Sequence, residues 1–246
     1  MTYDHAPITE AVIDLTFEFD APPTIEALGK LADELNPPFG QRQPINQVAM
    51  AFDMADGVAA NAQQSTSFQQ LGLRLSNADL TRITQLRVNG ANFSHMQPYT
   101  RWEKFSVEAL AVFDGYIKRF SPRAVSRLAL RYINQIEVPQ DSDIDLYLNI
   151  SPRLLPDLPQ SVAGYFMQLQ LPQADLGVNW HAIVNTGIGP ASSPANMNLL
   201  LDIDVYVQES LGATTESIAA VLSTLRDRKN KIFEAAITPK TREMIT

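Results

Sequence analysis

Apolar and polar side chains alternate one for one over residues 12–19. Ile13, Leu15, Phe17 and Phe19 fall on one side, and Asp14, Thr16 and Glu18 on the other. A period of two marks a strand with one dry and one wet face. The same period returns over 47–54, with Val48, Met50, Phe52 and Met54 on one side, and over 68–76, with Leu71, Leu73 and Leu75 opposite Arg74. Residues 82–95 read as one longer strand, with Thr84, Leu86 and Val88 opposite Gln85, Arg87 and Asn89. Further strands are expected over 124–138, 165–171, 180–186 and 198–207.

Helix signals punctuate these runs. Pro22-Pro23 stops the first strand, and Thr24 is placed to cap a helix over 25–35 that ends at Asn36-Pro37-Pro38. Thr100-Arg101-Trp102-Glu103 has the capping-box pattern, and a helix to about Phe120 gathers Phe105, Phe113, Tyr116, Ile117 and Phe120 on one side. Thr214 or Thr215 opens a last helix over 216–236, stopped before Pro239. Residues 55–66 read as a loop, and 141–155 as a short helix or an irregular crossover. The order β-α-β-β-β-α therefore occurs twice. It suggests one domain over 1–246 made of two pseudo-symmetric halves, 1–122 and 123–246. The expected fold class is α+β, an antiparallel sheet of about eight strands with helices packed on one face. Whether that sheet stays open or curls into a barrel is not set by the pattern.

Composition narrows the function. Among 246 residues, 45% are hydrophobic and 19% charged, which fits a folded chain rather than a disordered one. There is no cysteine, so disulfides, thiolate metal sites and thiol nucleophiles are excluded, and a reducing cytoplasm is the expected location. With 19 Lys and Arg against 27 Asp and Glu, the net charge of −8 argues against nucleic acid as the main partner and against an anionic membrane surface. Residues 1–11 lack the basic start and apolar run of a signal peptide, and no apolar run approaches the roughly 20 residues that span a bilayer. GxSxG, Walker, GxGxxG and HExxH motifs are missing, so no cofactor or metal is expected.

The wet face of the sheet carries Arg74, Arg87, Arg127, Arg131, His181, Asp202 and Asp204, together with Asp14, Gln168 and Asn185. The pattern favours a solvated face with cross-strand ion pairs; arginine forks also suit phosphate or carboxylate, so these residues are candidate ligand contacts, and an oligomer interface such as a homodimer is the third reading. Asp202-x-Asp204 could hold a cation or supply acid–base chemistry, although such a pair is more often a solvated edge. Lys229 falls in the middle of the apolar stripe formed by Ile218, Val221, Leu222, Leu225, Ile232, Phe233 and Ala236. Such a lysine must snorkel, pair with a carboxylate such as Glu10, Asp14 or Asp202, or face a ligand. Asn134, on the apolar side of its strand, is expected to bind backbone groups.

Three segments, in order, carry a resemblance. They are Ala6-Pro7-Ile8-Thr9-Glu10-Ala11, then Leu130-Arg131-Tyr132-Ile133-Asn134, then Leu225-Arg226 through Lys229-Asn230, Phe233-Glu234 and Ile237-Thr238, with Trp102 and Phe105 between them. Together they resemble a sporadically distributed bacterial family of about this length with no established function. The resemblance implies a bacterial protein and brings no reaction.

The lack of a catalytic constellation favours a non-enzymatic binding or regulatory module that recognises a protein partner or a small polar or anionic ligand on the sheet face. The alternatives are a hydrolase or nucleotide-processing enzyme using Lys229, His181 and Asp202/Asp204 around an arginine-lined pocket, and a structural subunit of a toxin-neutralising or defence assembly.

Overall fold

The computed structural model describes residues 3–35, 39–52, 64–158 and 162–246. The expected helix stop at Asn36-Pro37-Pro38, the strand residue Met54 and the loop as far as residue 63 lie outside the described residues. The first half contains β1 (Ile8–Glu18), α1 (Ile25–Glu34), β2 (Gln41–Phe52), β3 (Gln64–Ser76), β4 (Arg82–Arg87), β5 (Gly90–Met96) and α2 (Trp102–Phe120). The second contains β6 (Ala124–Pro139), β7 (Phe166–Pro172), β8 (Trp180–Gly189), β9 (Asn196–Val207), α3 (Thr215–Ala236) and α4 (Pro239–Ile245), with a 3-10 turn at Ile144–Leu146.

Among the described residues, nine strands form one antiparallel sheet in the order β2-β3-β4-β5-β1-β6-β9-β8-β7. The strands β1 and β6 lie side by side at the centre, with Ile13 opposite Leu130. The other strands of the first half extend to one side of this pair and those of the second half to the other. The strand count exceeds the expected eight because 82–95 is a hairpin. It turns at Val88-Asn89, and Arg87 pairs with Gly90. The inward residues change from even numbers (Thr84, Leu86) to odd ones (Ala91, Phe93), as a two-residue turn requires.

One face of the sheet is covered by α1, α2 and α3. Ile13, Leu15, Leu86, Phe93, Leu128, Leu130, Leu201, Ile203 and Val205 are buried there, against Leu28 and Leu31 of α1, Phe105, Phe113 and Tyr116 of α2, and Ile218, Leu222 and Leu225 of α3. Full burial of each large apolar side chain contributes about 1.5–3 kcal/mol. Tyr116 stacks on Phe17 at 5.1 Å, and its hydroxyl donates to the Arg87 carbonyl at 2.7 Å. The sheet also needs one very close approach. A Cβ on Gly90 would lie 2.1 Å from the Leu15 carbonyl oxygen.

Helix starts separate into two kinds. Thr24, Thr214 and Thr238 accept from the amides of Ala27, Ser217 and Thr241 in the ordinary way. The N-cap of α2 is Arg101, whose side chain makes no capping bond, so the box expected from Thr100 and Glu103 does not form. Helix α4, absent from the sequence expectation, begins with Pro239 in its first turn, where a missing N–H costs nothing. Among the described residues no helix is long and apolar enough to cross a membrane.

Candidate functional site

The open face of the sheet brings most of the expected residues together, and it joins them to one another. Arg87 binds Asp14 at 2.8 Å, reaching across β5 over the side-chain-free Gly90. Arg127 reaches Asp14 at 3.6 Å and Asp204 at 3.2 Å. Arg131 grips both oxygens of Asp202, at 2.8 and 2.6 Å. Asn185 also donates to Asp202, at 2.8 Å, and Gln168 to Asn185, at 2.9 Å. Polar contacts thus run from β4 through β1, β6, β9 and β8 to β7. His181 stacks on Tyr206 at 5.4 Å, and the Arg127 guanidinium lies 4.6 Å from the same ring. Burial pushes the Asp204 carboxyl up, with Asp202 and Asp14 adding to the effect and Arg127 and Arg131 opposing it. Arg74 stands apart, 3.4 Å from Gln43. Arg87, Arg127 and Arg131 each already face a carboxylate of the same chain, so an incoming anion would have to displace a side chain that is part of the fold.

Lys229 lies on the other side of the sheet. It is 9% exposed, and its Nζ sits 4.0 Å from the ring centroid of Tyr132. Tyr132 points to the helix side, because its neighbours Arg131 and Ile133 point to the open side. The partners expected from sequence are therefore on the wrong face: Asp14 and Asp202 are held by arginines there, and Glu10 has the same parity as Asp14. Glu234, in the same helix as Lys229, is tied to Tyr3 at 2.6 Å and Arg242 at 2.9 Å. Among the described residues Lys229 has no hydrogen bond and no ion pair. A buried ammonium without an anion costs several kcal/mol, and a desolvated cation–π contact returns about 2 of that. Burial, then repulsion by Arg226, pushes its pKa down to about 8, with Glu234 opposing weakly.

Lys229 lines a cavity of about 340 Å³. The segment before β1 supplies Tyr3 and Pro7, and the approach to α2 supplies Tyr99, Thr100 and Arg101. Trp102 and Glu103 line it from the first turn of α2, Tyr132 and Asn134 from β6, and Arg226, Asn230 and Phe233 from α3. Asn134 is fixed by donating to the Leu201 carbonyl at 2.9 Å, as its position in the strand led one to expect. The Tyr99 and Tyr132 hydroxyls lie 2.9 Å apart. Burial raises both phenols, Tyr99 to about 12 and Tyr132 well above its ordinary value, so both keep their protons. Arg226 lies 5.2 Å from the Trp102 ring and 3.6 Å from the exposed Glu103 carboxylate. The first turn of α2, with no side-chain cap, adds its partial positive charge.

Sequence reasoning thus found Lys229 but not its surroundings, and the enzyme constellation that joined it to His181, Asp202 and Asp204 is split between two faces of the sheet. The three segments that carry the resemblance all contribute to the cavity wall. Comparisons with protein-family models, with curated proteins and with solved structures return no match.

Proposed function

We propose that the chain is a non-enzymatic binding module whose ligand is a small anion held in the cavity between α2, α3, β6 and the segment before β1. The observation that carries this reading is Lys229, buried on the wall of a cavity and, among the described residues, without a counter-ion of its own. Arg226, Arg101, Lys231 and the uncapped start of α2 bring further positive charge to the same wall, partly offset by Glu103, 3.6 Å from Arg226, and by Glu234. A volume of about 340 Å³ is near the lower end for ligand sites, which suits a metabolite-sized molecule rather than a polymer. The aromatic rings leave little room for base stacking, since Lys229 lies over Tyr132 and Arg226 over Trp102. The open face of the sheet is the weaker candidate, because its arginines are internally neutralised. A bound anion would touch both halves of the chain, which suits a regulatory role.

Isothermal titration with phosphate, acetate and pyruvate tests the reading. Wild type is expected to bind at least one saturably, K229M to lose at least tenfold in affinity, and R131A to keep it. Equal binding by K229M and wild type would remove the cavity from consideration.

A further inference from the structure

We infer that the ligand is a small anion that also carries an aldehyde or ketone group, and that Lys229 holds it reversibly as an imine. This deepens the anion-binding reading and rests on it. A lysine amine attacks a carbonyl only when unprotonated, which desolvation without a counter-ion favours, and it must meet a carbonyl held in place. Lys229 meets the first condition: its contact is the face of Tyr132, with no acceptor among the described residues. The cavity meets the second. Arg226, on the same helix, lines the same wall, and a guanidinium holds a carboxylate or phosphate in a fixed orientation.

The charged and titratable groups that face the amine come from four elements. They are Arg226, Lys231 and Glu234 of α3, Tyr99, Arg101 and Glu103 at the approach to and start of α2, Tyr132 of β6 and Tyr3 of the N-terminal segment. Burial among them leaves the amine largely deprotonated above about pH 8. At pH 7 its neutral fraction exceeds that of an ordinary lysine by about 300-fold.

The step balances without an oxidant or a reductant. The Nζ lone pair attacks the carbonyl carbon, a C–N bond forms, and the C=O π pair moves to oxygen, which takes a proton. That proton is one of the two amine hydrogens; the second passes to the same oxygen as the C=N bond forms, and the oxygen leaves as water.

The test is reductive trapping on the full chain. Cyanoborohydride is added with pyruvate, with glyceraldehyde 3-phosphate, or with acetone as a carbonyl compound lacking the anion, and labelled lysines are located by peptide mass mapping. The inference predicts labelling of Lys229 at least tenfold faster than exposed Lys118 with one or both anions. It predicts no such preference with acetone, and loss of the fast label in K229R. The two anions separate a carboxylate from a phosphate ligand. Labelling spread over exposed lysines while calorimetry still detects binding of the same anion would overturn the imine and leave the anion site standing. Equal fast labelling by acetone would overturn the anion requirement. Absence of both labelling and anion binding would overturn the inference together with the reading beneath it.

Discussion

Lys229 and Arg131 show how differently two buried charges can be used. Lys229 has no partner, and its folded pKa of about 8 lies below its ordinary value of 10.5. Between those values the unfolded chain holds the extra proton, so stability rises with pH across the window. K229M, which keeps the length of the stem, removes a burial penalty. It is therefore expected to be more stable than wild type at pH 7, by an amount on the order of 3 kcal/mol. The gap should close as pH rises from about 8 to 10.5, which urea unfolding at a series of pH values would read. Gain of stability on loss of a charged residue is the usual mark of a site kept for binding. Arg131 behaves in the opposite way. It is the arginine gripping Asp202, which is only 3% exposed, so R131A leaves a buried carboxylate with Asn185 as its remaining donor. A loss of about 3 kcal/mol is expected for R131A. R74A, beside Gln43 at the surface, should stay within about 0.5 kcal/mol of wild type.

Elements carry the next set of consequences. T24A and T214A remove side-chain acceptors from helix starts, and each should cost about 1 kcal/mol in chemical denaturation. T100A should cost almost nothing, although its sequence pattern looks like a better cap, because the cap position of α2 is Arg101. Most strands were legible from alternation, since a half-buried sheet imposes period two on the sequence, but β2 begins at Gln41 rather than 47, and β3 at Gln64, inside the expected loop 55–66. The hairpin in 82–95 was signalled by Asn89-Gly90 and by the change of parity after it, a local cue that the long alternating run concealed. Helix α4 was hidden because Pro239 reads as a stop when it follows one helix and as a start when it opens the next. The open-face ladder was legible as a set of residues but not as a set of bonds. Arg131 stands directly opposite Asp204 yet binds Asp202, the diagonal neighbour, and only the register and side-chain geometry decide that. For Lys229, the apolar stripe announced an anomaly. Its surroundings come from positions far apart in the chain, which no local period reveals.

At the scale of the molecule, the central pair β1 and β6 joins the two sides of the sheet, and the cavity lies beside it on the helix side. Its wall draws on the N-terminal segment and α2 from one half and on α3 from the other. A ligand bound there adds a connection to those made by the sheet, by the α2–α3 contact and by Tyr3 against Phe233 and Glu234 of α3. Saturating anion at a hundredfold excess over Kd should therefore stabilise the whole chain by about 3 kcal/mol in thermal or chemical unfolding. K229M should lose most of that increment. The most direct test of the account is an NMR titration of the Lys229 side chain with and without phosphate or pyruvate. The account predicts a pKa near 8 in the free protein, moving upward as phosphate, which has no carbonyl to form an imine, is added. A value near 10.5 that ignores the anion would contradict it, because it would mean that the ammonium already has water or a protein partner.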